Sequence, residues 1–492
     1  MESEETHGPS TRRALEEVPS GLSEEAERAI EVLAIVDEYE NRVDALRELL
    51  DATLQHAREL DSVENRLKHI SVILALIPRD KRREVLDAMR IPDSPTWARD
   101  TILVLVDRFL HEEWGPRLVA AVRRSFTQPP RSPILLNSLL TNAVSAFELH
   151  LAELTRVYYE CIPQALDAAS KEKEFSLPEL KALGSIEDAV DVAVSRRIDG
   201  LLFGSFAGWR KFYRDGIKID FETLSIDWAA VQEVFQRRHT IVHNGARATK
   251  RYMTETGAPV ELGQPLDCTP DYVEACFDEL FALGALAAVE LFRKVGGEDR
   301  AACDELHGIE YRMMLAGKWR LVSRVSSHGL TIPADSATSE VFKVNLWLAR
   351  KRLEDLDTIR PEVEAWDVSA SSDRFKLAKA ALLGEADEAF ALIPGLLASG
   401  DISGIDLFEW PLLNDLRADE RFKDLQDTIR SSVEREFAGA AMTPGSGVYH
   451  RRSCTRAGPR AFSVPEEQAV AAGARPARCC HAMRAEGATD LT

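Results

Sequence analysis

Residues 132–154, SPILLNSLLTNAVSAFELHLAEL, are the stretch that decides the fold. Their large apolar side chains recur at steps of four, four, three, four and three residues, at Leu136, Leu140, Val144, Phe147, Leu151 and Leu154. This spacing follows the turn of an α-helix, so the stretch predicts a helix with one face buried in a bundle.

Helical spacing recurs along most of the chain, whereas alternating apolar and polar runs are hard to find. The sequence therefore predicts an all-α protein. The Pro-rich segment 127–133, TQPPRSP, predicts a boundary just before the bundle, because neither helix nor strand continues through it. Within the bundle, side-chain caps predict the starts of three further helices, at Ser176, Ser185 and Thr269.

Four parts follow along the chain. Residues 22–126 are predicted to form a solenoid-like region of helical repeats, although chance similarity among Asp- and Arg-rich helices explains its faint internal echo equally well. Residues 132–295 form the bundle, residues 301–436 a further helical region, and residues 445–483 a small tail. The tail is rich in Ala, Gly, Pro and Arg, and is either a separate module or disordered.

Composition limits the classes of function. The 492 residues are 45% apolar, which excludes disorder along the whole chain and is enough for several cores. The formal charge of −20 excludes a surface that binds nucleic acid everywhere, so any RNA contact needs a local basic patch. Seven cysteines, an odd number and mostly far apart, do not indicate a disulfide framework. With no signal peptide or membrane span evident, we expect a cytoplasmic protein that does not contact a membrane.

The third region has a repeat of its own. The segments Leu315-Ala316-Gly317 and Leu382-Leu383-Gly384 lie 67 residues apart, close to twice the period of tetratricopeptide helix pairs. The region resembles a short tetratricopeptide-like array. That resemblance implies a surface for a protein partner.

The sharpest cluster of chemically useful residues is QRRHTIVHNG at 236–245. Metal-independent RNA cleavage needs a group that exchanges protons near neutral pH and a cation that stabilises the phosphorane. Histidine suits the first task and arginine the second, so His243 and Arg238 are the candidates. On a regular helix the two are roughly 140° apart. Either the helix ends near Asn244-Gly245, or two copies of it meet and each site takes residues from both.

Arg238 and His243 have four residues between them, lie on a late helix of a bundle and are followed by Asn-Gly. This pattern resembles that of the HEPN superfamily, which includes bacterial toxin and phage-defence ribonucleases. The resemblance covers residues 132–295. It implies a metal-independent endoribonuclease whose Arg and His line a groove between two protomers of a homodimer. The polar residue that follows the Arg in that family is here His239. We assign positioning roles to His239 and Asn244, and RNA contact to the neighbouring cations Arg237, Arg247, Lys250 and Arg251.

Three alternatives stay open. In the first alternative, the protein is a noncatalytic scaffold whose bundle mediates dimerisation and whose helical repeats bind a protein partner. His239 and His243, four residues apart, also have the spacing of two zinc ligands, without an obvious third. The segment 209–214, WRKFYR, interleaves aromatic and basic residues, as a base-stacking surface does, but a buried aromatic side is the favoured interpretation.

The tail resembles the small zinc-binding module of the Ada DNA-repair protein, in a degenerate form. The resemblance implies a structural zinc ion, and no cofactor is expected for catalysis. The predicted ligands are His450, Cys454, Cys479 and Cys480. The match is incomplete, because Ala477 stands where the pattern has its third ligand.

Overall fold

The fold is described from a computed structural model, which covers residues 24–62, 65, 71–89, 97–169, 175–431, 440–442, 448–451, 462–464 and 475–476. The prediction of an all-α protein is confirmed, since helices make up nearly all of the regular structure in these residues. The chain divides into two compact units, Met1–Leu306 and His307–Thr492.

The first unit contains thirteen helices within its described residues, and a fourteenth helix runs across its end. They are α1 (Glu24–Asp61), α2 (Ser71–Leu76), α3 (Arg79–Met89), α4 (Trp97–Phe109), α5 (Gly115–Thr127), α6 (Arg131–Cys161), α7 (Gln164–Ala169), α8 (Leu177–Leu183), α9 (Ile186–Leu202), α10 (Phe206–Phe212), α11 (Trp228–Asn244), α12 (Lys250–Thr256), α13 (Pro270–Lys294) and α14 (Asp299–Leu315). A single π-helical turn, Tyr213–Ile217, follows α10. The predicted caps are confirmed: Ser176, Ser185 and Thr269 each accept a backbone hydrogen bond at the start of α8, α9 and α13.

The central helix of the bundle is α6, the helix predicted from residues 132–154. It packs against α1, α11 and α13, and the six apolar residues of its predicted stripe are all buried. By length and composition α6 could cross a bilayer, and it is the one described helix that could. Its apolar face packs inside the bundle, which accounts for its hydropathy without a membrane.

The first helix belongs to this bundle, whereas the sequence placed it in a separate repeat region. Tyr39 of α1 is fully buried, with its ring stacked on that of His150 at a centroid distance of 4.3 Å. Arg42 forms an ion pair with Glu153 of α6 at 2.8 Å. These contacts join residues more than a hundred positions apart, so local sequence patterns do not reveal them.

A side-chain cap links the same two helices. Pro130 precedes α6 and supplies no side-chain cap. Asp61, the last residue of α1, accepts hydrogen bonds from the backbone nitrogens of Arg131 at 2.7 Å and Ser132 at 2.8 Å. A carboxylate at this position satisfies the free amides at the start of α6 and complements the helix dipole. Only residues 128–130 of the Pro-rich segment lie outside helices, and helices from both sides of the segment, α1 and α6, pack in one bundle.

Helices α2 to α5 have a smaller core of their own. Its buried residues include Ile77, Val85, Leu105, Phe109 and Leu118. The predicted region 22–126 therefore divides in the structure: α1 lies in the bundle, and α2 to α5 form a separate cluster.

The second unit continues with helices α15 (Trp319–Gly329), α16 (Ser336–Leu353), α17 (Leu356–Ala365), α18 (Asp373–Leu383), α19 (Ala386–Ser399), α20 (Gly404–Glu409) and α21 (Asn414–Arg417). Neighbouring helices pack in sequence order, α15 on α16, α17 on α18 and α18 on α19. The two similar segments, 315–317 and 382–384, lie where a helix ends and the next begins. Their glycines, Gly317 and Gly384, adopt left-handed φ values of 69° and 76°. The tetratricopeptide-like array itself stays a prediction.

The described parts of the tail form a small sheet. Its strands are β1 (Ala440–Met442), β2 (Val448–Arg451), β3 (Phe462–Val464) and β4 (Arg475–Pro476), in the order β3-β1-β2-β4. β1 is antiparallel to β2 and β3, while β2 is parallel to β4.

Candidate functional site

The predicted motif lies on one unbroken helix, α11. Asp227 caps its start by accepting a hydrogen bond from the backbone nitrogen of Ala230 at 3.1 Å. The helix continues to Asn244 and ends at Gly245, whose φ of 60° is left-handed. The end at Asn244-Gly245 is as predicted, and glycine is favoured there because it adopts this conformation without a steric penalty.

This helix end comes too late to bring Arg238 and His243 together. With α11 regular through Asn244, the two side chains leave the axis roughly 140° apart. Arg238 lines a cleft, whereas His243 is exposed at the end of the helix and is not among the residues that line it. Within one protomer, the structure therefore does not place both groups on one phosphate.

The cleft next to Arg238 has a volume of about 310 Å³. Its floor is aromatic, with the Phe206 and Phe235 rings stacked at a centroid distance of 3.9 Å. The polar residues that line it are Glu148, Ser205, Arg210, Gln232, Gln236, Arg238, His239, Arg251 and Glu255. It thus combines three arginines, two carboxylates and an imidazole above an apolar floor.

Glu148 faces Arg238 across this cleft, from the central helix α6. Burial raises the pKa of the Glu148 carboxyl, and the positive charge of Arg238 opposes that shift. Glu148 is not among the site residues predicted from the sequence. The feature of the sequence that could have identified Glu148 is its position next to Phe147, which places a carboxylate beside the buried stripe of α6.

His239 connects the cleft to His243. It lines the cleft, and its ring centroid lies 4.8 Å from that of His243, one turn further along α11. Partial burial lowers the pKa of His239, and the nearby His243, Arg251 and Arg238 lower it further. The lowered pKa favours the neutral imidazole of His239, the form that can accept a proton.

Arg237 faces away from the cleft, which separates it from the other predicted RNA contacts. Its guanidinium donates hydrogen bonds to Glu233 at 2.7 Å, to the Tyr252 hydroxyl at 3.2 Å and to the Asp267 carbonyl at 3.2 Å. It also lies over the Tyr272 ring, 4.4 Å from the centroid. Arg237 thus joins α11 to α12 and α13, and these contacts use one donor on each of its three guanidinium nitrogens.

The other predicted RNA contacts are exposed, and one of them, Arg251, lines the cleft. Arg251 also pairs with Glu255 at 3.1 Å. Arg247 donates to the Gly263 carbonyl at 3.0 Å, and Lys250 begins α12. Asn244 is exposed at the end of α11. These side chains are accessible to a ligand from solvent.

The aromatic residues of the WRKFYR segment are buried, which confirms the favoured interpretation. Trp209, Phe212 and Tyr213 are 1%, 8% and 0% exposed. The cations of the segment are partly or fully exposed, and Arg210 reaches the cleft.

The zinc ligands predicted in the tail fall mostly outside the described residues. His450 lies on β2, whereas Cys454, Cys479 and Cys480 are not described. No group of three or more His, Cys, Asp or Glu side chains arranged to hold a metal ion occurs within the described ranges. The zinc site of the tail stays a prediction.

Comparisons of this chain with protein-family models, with curated proteins and with solved structures found no match.

Proposed function

We propose that this chain is a metal-independent endoribonuclease of the HEPN type, which acts as a homodimer in a toxin or phage-defence role. The cleft beside Arg238 carries this proposal. It gathers Arg238 and His239 of the predicted motif with Arg251 and the half-buried carboxylate of Glu148, in a chain of formal charge −20. Three arginines against two carboxylates give the cleft a small excess of positive charge, which favours a phosphodiester.

In the proposed reaction, a new bond from phosphorus to the 2′-oxygen replaces the bond from phosphorus to the 5′-oxygen, and one proton moves from the 2′-oxygen to the 5′-oxygen through His243. The ribose 2′-oxygen attacks phosphorus while its proton passes to the His243 imidazole. The P–O5′ bond then breaks, and the imidazolium returns a proton to the 5′-oxygen. The products are a 2′,3′-cyclic phosphate and a 5′-hydroxyl end. Arg238 stabilises the charge that develops on the phosphorane, because a guanidinium is permanently charged and donates two parallel hydrogen bonds.

The neighbouring residues position the reacting groups. Glu148 orients Arg238, His239 and Asn244 hold the phosphate and His243 in place, and Arg247, Lys250 and Arg251 contact flanking phosphates. Because the largely buried Arg237 guanidinium bonds through each of its nitrogens to groups of the bundle, we assign it a structural role.

The same geometry supports the proposed homodimer. Arg238 and His243 leave α11 roughly 140° apart, and His243 does not line the cleft that Arg238 lines. If α11 of a second protomer packs beside the first, Arg238 of one copy faces His243 of the other. A twofold axis then creates two equivalent sites.

The test is RNA cleavage by the purified full-length protein at low salt with a chelator present. We expect the parent to leave 2′,3′-cyclic phosphate ends, and His243→Ala to be slower by about 10²- to 10⁴-fold, as loss of a general acid–base group implies. The matched control is His56→Ala, because the side chain of His56 is 72% exposed on α1. Equal inertness of the parent and His243→Ala would instead support the noncatalytic scaffold.

A second substitution separates positioning from proton transfer at His239. His239→Asn keeps a hydrogen-bonding side chain but cannot exchange a proton. We expect it to retain most activity. Loss comparable to that of His243→Ala would mean that His239 itself transfers the proton.

A further inference from the structure

A second cavity lies on the other side of α10 from the cleft. Its volume is about 930 Å³, at the upper end of the range for small-molecule sites. Residues of α10 divide the two spaces: Phe206 and Arg210 line the cleft, while Gly208, Lys211 and Phe212 line the cavity. Nothing in the proposed ribonuclease chemistry uses this cavity.

The cavity is basic. Its charged lining consists of four cations and one acid, a formal +3, from Arg196, Arg197, Lys211, Lys218 and Asp215. Within the described part of the chain, Arg197, Lys211 and Lys218 form no ion pair. Asp215 lies close enough to Lys211 and Lys218 for their charges to lower the pKa of its carboxyl, and Arg196 pairs with Glu179. The cations still outnumber the carboxylates that line the cavity, so the net positive charge favours an anionic ligand.

The inner wall is aromatic. Phe212 and Tyr158 line the cavity and are only 8% and 6% exposed. The guanidinium of Arg197 lies over the Phe212 ring, 5.6 Å from its centroid. Exposed cations around buried rings suit a ligand that is anionic at one end and planar and apolar at the other.

Two helical glycines leave this space open. Gly200 of α9 and Gly208 of α10 both line the cavity, and a Cβ built on either meets no described atom within 4 Å. Glycine within a helix costs stability relative to alanine. Packing within the chain does not require glycine at these two positions, and the missing side chains leave the cavity wall open to a ligand.

The backbone at the cavity edge is also unusual. The π-helical turn Tyr213–Ile217 ends at Lys218, which has a left-handed φ of 67°. π-helical turns occur frequently at functional sites, and left-handed backbone is uncommon for a residue other than glycine. Here this backbone places the Lys218 side chain in the cavity lining.

We propose that this basic cavity binds a nucleotide unit, with its phosphate against Lys211, Lys218 and Arg197 and its base packed edge-on at the wall to which Phe212 and Tyr158 contribute, without stacking on their buried faces. The unit is either a free nucleotide or one nucleotide of an RNA strand. In the second case the inference rests on the proposed ribonuclease function. Leu201 lines the cavity and Gly204 lines the cleft, and the Gly204 nitrogen donates to the Leu201 carbonyl at 3.0 Å, so the two sites meet at one turn.

The experiment measures binding by the full-length protein to two probes. One is a mixture of the four ribonucleoside triphosphates, followed by calorimetry. The other is a fluorescein-labelled single-stranded RNA with 2′-O-methyl riboses, which lacks the attacking hydroxyl and cannot be cleaved by the proposed reaction. We compare the parent with Lys211→Ala/Lys218→Ala and with Gly208→Ala. Lys181→Ala is the matched control, an exposed lysine outside the cavity lining.

We expect the parent to bind at least one probe, and the double lysine variant to bind it about tenfold more weakly or worse. If the probe is RNA, the slope of log affinity against log salt falls by about 1.4, which is about 0.7 for each lost phosphate contact. Gly208→Ala should melt at the same or a higher temperature than the parent and yet bind more weakly, which a general folding defect does not produce.

Binding of triphosphates identifies a free nucleotide as the ligand, whereas binding of RNA alone identifies the strand. The inference is overturned if the parent binds neither probe at about 1 mM, or if both variants bind as the parent does. Loss of RNA binding in Arg238→Ala but not in the lysine variant overturns it as well, because the RNA then occupies the cleft only. Failure of the ribonuclease proposal can be distinguished from failure of this inference. In that case the protein does not cleave RNA, but its affinities for the two probes are unchanged.

Discussion

A complementation experiment tests the dimer directly. The perturbation is a mixture of two inactive variants, Arg238→Ala and His243→Ala. Because α11 is regular through Asn244, Arg238 and His243 of one protomer leave the helix roughly 140° apart, and we expect them not to meet on one phosphate. A working site must then take Arg238 from one copy and His243 from the other.

The arithmetic of the mixed dimer sets the magnitude. With equal amounts and free exchange of subunits, half of the dimers contain one copy of each variant. In a mixed dimer, one site receives both substitutions and the other receives neither, so one site in two is intact. Half of the dimers with half of their sites intact gives about one quarter of the parent activity.

The assay follows cleavage of a quenched fluorescent RNA by each variant alone and by the mixture. Exchange is driven by mixing the variants at low protein concentration and then concentrating them. Each variant alone should stay at background. If the mixture also stays at background, while size-exclusion chromatography of differently tagged chains shows mixed dimers, sites shared between protomers are refuted.

Three further predictions concern the rest of the molecule. Gly284→Ala places a Cβ 2.6 Å from the Tyr39 ring, so we expect it to lower the free energy of unfolding by about 1–3 kcal/mol in urea titrations; unchanged stability would contradict this packing. Burial lowers the pKa of His150 to about 4, so stability is full above its ordinary pKa of 6.5 and is lost as pH falls towards 4. Between pH 7.5 and pH 4.5, the free energy of unfolding measured by urea titration should fall by about 3 kcal/mol more for the parent than for His150→Gln. Equal falls would rule out a neutral buried imidazole. If the tail holds zinc, elemental analysis should find about one zinc per chain and less in His450→Ala, and no zinc in the parent would refute the site.

Local signals predicted where helices begin and end. The stripe at 132–154 predicted the central helix, and it is buried as expected. Ser176, Ser185 and Thr269 predicted helix starts because a side-chain oxygen three residues from a free backbone amide acts within one turn. Asn244-Gly245 predicted the end of α11 for the same kind of local reason.

The candidate site was predictable only in part. The sequence identified Arg238 and His239, which the structure places together in the cleft. It did not identify Glu148, which reaches the same cleft from α6, about ninety residues earlier in the chain. It also grouped Arg237 with the RNA contacts, because residues adjacent in sequence look alike until their directions around the helix are known.

What the sequence alone determined is the all-α class, the helix ends and the local concentration of positive charge, since each depends on residues within a few turns of one another. The tertiary structure decided that α1 completes the bundle, that Arg237 is sequestered while Arg238 lines a cleft, and that four cations surround a second cavity. Those outcomes depend on how helices far apart in the chain pack together. Side-chain direction, burial and electrostatic environment exist only once that packing has formed.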